Sequence, residues 1–142
     1  MLALFDVNVL VHAVNAASQQ HAVAQPALAA SMRAGEAALT WHSLLGFLRL
    51  TTRSGILAKP LQIEQALTIL QSWLAYPGVS VLAPGERHAD LLSRLLLGAG
   101  IGGNLAPDAH LAAIAIEHQA QMVTFDRDFE RFAGLRVKLL GK

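Results

Sequence analysis

The sequence predicts an α/β domain built on a central, mainly parallel sheet. Short apolar runs (LALF, AALT, VSVLAP, MVTF and LRVKLL) recur along the chain. Longer segments with apolar residues at helical spacing lie between them. Strands that alternate with helices need crossover connections, and crossovers give parallel pairing with both sheet faces covered. No repeat, low-complexity tract or linker divides the 142 residues, so residues 1–142 are read as one domain.

LALF opens as a short buried strand, and VNVLVHAVN continues with helical spacing. QQHAVAQPALAASMRAGE is an Ala-rich helix, with Pro26 early in it or kinking it and Gly35 as its stop. AALT is a second strand. WHSLLGFLRLTTRSG carries apolar residues at 41, 44, 45, 47, 48 and 50, a helix ending near Gly55. Pro60 starts the amphipathic LQIEQALTILQSWLAYPG, closed by Pro77 and Gly78. VSVLAP is a strand of continuous apolar residues bounded by turn formers. GERHADLLSRLLLGAG is a helix with Leu91, Leu92, Leu95 and Leu96 on one face. IGGNLAP reads as a loop, DAHLAAIAIEHQA as a helix led by Asp108, MVTF as a strand, DRDFERF as a short helix and LRVKLL as the last strand.

More than half of the residues are hydrophobic (54%) and 15% are charged, which excludes a disordered chain. A formal net charge of +1 neither advertises nor excludes a nucleic-acid binder, because acids gathered around a metal would cancel basic residues elsewhere. Without cysteine there is no disulfide framework and no thiolate metal site. Asp6 interrupts the first apolar run and no Lys or Arg precedes Arg33, so no secretory signal is read and a cytoplasmic protein is expected. Apolar stretches are broken well short of membrane-spanning length.

Asp6 is the anomaly in LALFDVNVLV. A carboxylate buried without a partner is costly, so a cation, a hydrogen-bond network or a cleft should accompany it. Asp108 falls in the first turn of a helix after a Gly-rich loop, and Asp126 and Asp128 follow directly on MVTF. In open α/β sheets, strand carboxyl ends and neighbouring helix N-termini converge on one crevice. Taken singly, Asp108 is explained by the helix dipole and Asp126 by an N-cap. With Asp6 they point to one site. Clustered carboxylates without a nearby Lys repel one another, and Mg²⁺ or Mn²⁺, which take oxygen ligands, are the natural counter-ions. Such an ion polarises phosphoryl oxygens and acidifies water, the chemistry of phosphodiester hydrolysis.

LFDVNVLV, GNLAPDAHLAAIAIEH and MVTFDRDFERF, in this order and spacing, resemble the PIN-domain ribonucleases, in particular the VapC toxins of type II toxin–antitoxin pairs. WHSLLGFLRLTTRSGIL, ALTILQSWLAYPGVSVLAPGERH and FAGLRV extend the likeness over nearly the whole chain. The resemblance implies a three-layer α/β/α domain, a Mg²⁺- or Mn²⁺-dependent endoribonuclease, an RNA substrate and a cognate VapB-like antitoxin. It places the catalytic and metal-holding acids at Asp6, Asp108 and Asp126, with Asp128 as an accompanying ligand. Asn8 matches the polar residue after the first acid and Thr124 the hydroxyl before the last one; both are expected at the substrate. One position departs: Gly46, in GFLR, stands where PIN domains usually carry a glutamate, and no acid lies between Glu36 and Glu64. Gly within a helix costs about 1 kcal/mol relative to Ala, so close packing or space near the metal is implied. The departure sustains an alternative, a degenerate module that binds RNA or antitoxin without cutting.

Arg49 and Arg53 lie four apart on one helix face, and Arg127 and Arg131 flank Asp126; Arg49 and Arg127 are the expected phosphate contacts, against the plainer reading of a solvated face. The six histidines show no metal-binding spacing with a third ligand and are read as non-catalytic. Ser43 and Ser54 lack a His–Asp partnership, and GAGIGGN does not follow a strand. A phosphoaspartyl phosphatase would need an acid where Asn8 stands. The Leu-rich helices LTILQSWLAY and LLSRLLLGAG leave apolar surface for a homodimer or an antitoxin, or else pack in the core.

Overall fold

Alternation along very short strands sets the layers. The computed structural model describes residues 1–100 and 102–141. Its five strands are β1 (Ala3–Phe5), β2 (Ala37–Leu39), β3 (Ser80–Val81), β4 (Gln121–Thr124) and β5 (Arg136–Leu139). They form one sheet in the order β3-β2-β1-β4-β5, and every pairing is parallel. Successive side chains on a strand face opposite ways. Phe5, Ala37, Leu39 and Val123 therefore enter one apolar cluster, and Leu4, Ala38 and Met122 the other. Helices α1 (Val7–Val14), α2 (His21–Arg33), α3 (Trp41–Thr52) and α4 (Ile63–Ala75) cover the first face. Helices α5 (His88–Ala99) and α6 (Leu105–Glu117), with a 3₁₀ turn at Arg127–Arg131, cover the second. This is the expected three-layer α/β/α arrangement. Among the described residues no helix is long and apolar enough to cross a membrane.

Element ends depart from the sequence reading where backbone partners decide them. Helix α6 begins at Leu105, ahead of Asp108, so Leu105–Pro107 belong to its first turn rather than to a loop. Pro107 is tolerated there because the first N–H groups of a helix have no intrahelical partner to lose. The rest of the expected loop includes Ile101, which lies outside the described residues. Helix α4 starts at Ile63 instead of Pro60, where the Gln62 N–H donates to Gln65 Oε1 at 3.0 Å. The strand read in VSVLAP shrinks to Ser80–Val81 at the sheet edge, extended only by the Leu82 N–H to the Leu39 carbonyl, 2.9 Å, before Pro84. Pro26 lies inside α2, but it and Ala22 are both exposed, so water can serve the carbonyl that the proline leaves without an N–H.

The sheet order positions the site. From β1 the chain winds outward to β2 and β3, then returns to β4 on the other side of β1. The winding reverses between β1 and β4, and a crevice opens beyond their carboxyl ends. Asp6 directly follows β1, and Asp126 lies two residues beyond β4.

Candidate active site

Asp6 is 5% exposed and caps α1, its Oδ1 accepting the Val7 N–H at 2.8 Å. Its Oδ2 accepts the Thr124 hydroxyl proton at 2.8 Å, a bond between residues 118 apart in sequence. The same hydroxyl oxygen accepts the Asp126 N–H at 2.9 Å. Asp126 in turn caps the 3₁₀ turn, Oδ1 taking the Asp128 N–H at 2.8 Å. One hydrogen-bonded chain thus runs from the end of β1 through the end of β4 to Asp128. Asp126 is thus both a cap and a member of the acidic cluster.

Asp108 comes from the first turn of α6 and completes the set. One carboxylate oxygen from each of Asp108, Asp126 and Asp128 lies within 4.8 Å of the others. Asp6 sits behind this trio, outside its mutual contact distance but near enough for its charge to be felt by Asp108. Partial burial, and then the negative charges of Asp6, Asp126 and Asp128, push the Asp108 carboxyl up to about 6. Burial raises Asp6 as well; the Thr124 hydroxyl and Val7 N–H work against that rise, Asp126 adds to it, and His42 eases it. Among the described residues the one side-chain ion pair joins Arg131 Nε to Asp128 Oδ1 at a loose 3.8 Å, both half-exposed. Four carboxylates so weakly countered, three of them in ligand reach of one point, form an oxygen donor set that suits a hard divalent cation.

The remaining residues expected at the site fall differently. Asn8 on α1, Arg49 on α3 and Arg127 in the 3₁₀ turn are exposed. Thr124 is fully buried, and its hydroxyl donates to Asp6 and accepts from the Asp126 N–H. Gly46 has a packing explanation: a Cβ there would stand 2.8 Å from Val7 Cγ2. The first turn of α1, which Asp6 caps, is pressed onto α3 at the point where α3 has no side chain.

Sequence spacing missed a histidine group. His88 Nε2 lies 2.9 Å from His110 Nδ1, and the His42 ring centroid is 5.6 Å from that of His110. His42 follows β2 and α3 begins one residue before it, so the sheet-edge rule that finds the acids would have found it too. His88 and His110 meet only through the packing of α5 on α6, which no local pattern records.

The PIN domain family matches residues 3–135. The chain is 44% identical over 139 residues to "Ribonuclease VapC37" of Mycobacterium tuberculosis, covering 95% of this chain and 94% of that relative. It is 39% identical over 137 residues to "Ribonuclease VapC25" of the same organism, covering 94% of each. Among solved structures, VapBC2 of Rickettsia felis bound to a DNA fragment from the promoter superposes with a TM-score of 0.73 at 20% identity, covering 99% of this chain and 100% of that one. VapC20 of Mycobacterium tuberculosis, described as a Sarcin-Ricin loop cleaving toxin, gives 0.64 at 18% identity, covering 94% and 98%. With its acids at the same sheet reversal that its fold dictates and its length matched nearly end to end, the chain belongs to the PIN-domain family, alongside the VapC group.

Proposed function

We propose that the protein is a Mg²⁺- or Mn²⁺-dependent endoribonuclease, the toxin of a type II toxin–antitoxin pair, which hydrolyses RNA phosphodiester bonds. The observation that carries this is the gathering of Asp108, Asp126 and Asp128 within 4.8 Å, backed by buried Asp6. Asp108, Asp126 and Asp128 would hold the ion, with the charge of Asp6 close beside them. When bound, it supplies positive charge at a phosphoryl oxygen and lowers the pKa of water. Thr124 and the Val7 N–H keep Asp6 oriented and favour its ionised form. A carboxylate of the cluster would take the proton as water attacks phosphorus, the bond from phosphorus to the departing sugar oxygen breaks, and the carboxyl group so formed returns the proton to that oxygen. Asn8, Arg49 and Arg127, all exposed, are the side chains assigned to the RNA backbone.

The ribonuclease names of relatives at 44% and 39% identity support this substrate class. The non-cleaving alternative rested on Gly46, and contact with Val7 accounts for that glycine without removing any of the four acids. Exposed Trp41 and Leu45 on α3, and Ile63 and Leu67 on α4, offer an apolar surface for a VapB-like antitoxin or a second copy of the chain. Cytoplasmic RNA is the expected setting.

The test is incubation of purified protein with mixed RNA and Mn²⁺, beside Asp6→Asn. Cleavage that stops with EDTA and is lost in the variant is expected. Equal inertness of both proteins, each folded by circular dichroism, overturns the nuclease reading.

A further inference from the structure

The carboxylate cluster has a physical difficulty that its own residues do not resolve. It draws in a cation but repels the polyanion to be cut, so positive charge is needed beside it. A cavity of about 350 Å³ lies between α5 and the segment after β4, lined among the described residues by Arg94, Leu95, Gly98, Arg131, Ala133 and Gly134. Arg131 ties this cavity to the cluster, since it belongs to the same 3₁₀ turn as Asp128 and approaches that carboxylate at 3.8 Å.

Its walls are of two kinds. Arg94 and Arg131, from separate elements, provide planar guanidinium forks that match phosphate geometry. Leu95, Ala133 and the two glycines provide an apolar, nearly side-chain-free surface of the sort a sugar or a flat base can lie against. Gly98 is the telling residue. It stands within α5, with no left-handed backbone that would demand glycine, and among the described residues a Cβ there meets nothing within 4 Å. Glycine is unfavourable inside a helix. Among the described residues no packing contact accounts for it, in contrast to Gly46, and it stands in the cavity lining. Gly134, at φ +87°, is by comparison required by its turn.

We infer that the Arg94–Arg131 cavity is a nucleotide subsite, which holds one phosphate and its attached nucleoside of the RNA strand beside the carboxylate cluster. The inference rests on the ribonuclease reading for its ligand, and adds where the strand runs: over α5 and the 3₁₀ turn. An acidic side chain of a protein partner would satisfy the arginines but would leave the apolar half of the cavity unused, so RNA is the better match.

Two variants separate the charge from the space. Arg94→Gln removes a guanidinium at an exposed position; Gly98→Leu adds a bulky side chain at the cavity lining and keeps both arginines. Binding of a short fluorescein-labelled oligoribonucleotide of mixed sequence is followed by anisotropy in EDTA, so that nothing is cut. Each variant is expected to weaken binding by roughly 3- to 10-fold, and Arg94→Gln to reduce the slope of log K against log salt by about 0.7, the loss of one single-strand phosphate contact. Gly98→Leu should melt no lower than wild type, since it relieves a helix glycine. Unchanged affinity and salt slope in both variants would overturn the subsite. So would a poly-glutamate peptide that displaces the oligonucleotide as well as unlabelled RNA does and loses affinity in parallel, because the cavity would then serve an acidic protein segment. Wild-type protein that cuts RNA with Mn²⁺ while both variants bind normally sinks this inference alone. Protein that binds in a cavity-dependent way but never cuts sinks the nuclease reading and leaves the subsite standing.

Discussion

Thr124 shows how much a single buried hydroxyl can govern. It donates to Asp6 Oδ2 and accepts from the Asp126 N–H, so it fixes two acids that reach the site from different strands. Thr124→Val keeps the shape but leaves the Asp126 N–H and an Asp6 oxygen without these partners. The expected cost is about 2 kcal/mol in urea unfolding, with at least a roughly 10-fold fall in Mn²⁺-dependent cleavage. Thr124→Ser should recover both; a valine variant that cuts like wild type would show that the hydroxyl does not position the acids. Asp108 makes the opposite case. Its carboxylate is crowded by Asp6, Asp126 and Asp128, so Asp108→Asn should abolish cleavage yet stabilise the metal-free protein at neutral pH by roughly 1 kcal/mol, allowing for solvent screening of a half-exposed group. Asp6 was legible in the sequence because a lone acid inside LALFDVNVLV demands a reason. The role of Thr124 was not, since it depends on β1 lying beside β4 across 118 residues.

Between elements, the decisive contact is α1 on α3. A Cβ at Gly46 would stand 2.8 Å from Val7 Cγ2, and Val7 is β-branched with little rotamer freedom to yield. Gly46→Ala should therefore destabilise by about 1 kcal/mol, the overlap outweighing the gain in helix propensity. Pairing it with Val7→Ala should restore most of that loss, a coupling that a double-mutant cycle on urea midpoints would measure. Additive losses would mean that the two helices do not meet there. The site should respond as well, because Val7 supplies the N–H that holds Asp6 Oδ1. At this scale periodicity serves the sequence reading well: each helix and strand it expects exists, and the six α-helices among the described residues fall where apolar spacing puts them. What it misplaced were ends. Nothing in the apolar pattern tells that Leu105–Pro107 already belong to α6, or that VSVLAP pairs over only two residues, because those limits are set by hydrogen-bond partners elsewhere in the chain.

For the molecule as a whole, the parallel sheet concentrates negative charge at one end, and stability should record it. The Asp108 carboxyl is raised from 3.8 to about 6, so the folded state holds its proton more tightly than the unfolded chain does. Its favourable contribution is complete below 3.8 and is lost as pH climbs through about 6, so in EDTA this group makes the protein less stable at neutral than at mildly acid pH. A divalent ion held by the cluster would reverse the sign, because it would bind the deprotonated carboxylates and stabilise by RT ln(1 + [L]/Kd), about 2.7 kcal/mol at a hundredfold excess over Kd. Melting curves with and without Mn²⁺ should therefore converge near pH 5 and separate near pH 7.5, values chosen to bracket the Asp108 transition at about 6. In Asp108→Asn the ion's effect should shrink and lose this pH dependence. A Mn²⁺ shift of the same size at both pH values in the wild-type protein would mean that the ion sits away from Asp108, and that the convergence of distant strand ends on one cation is not what this fold accomplishes.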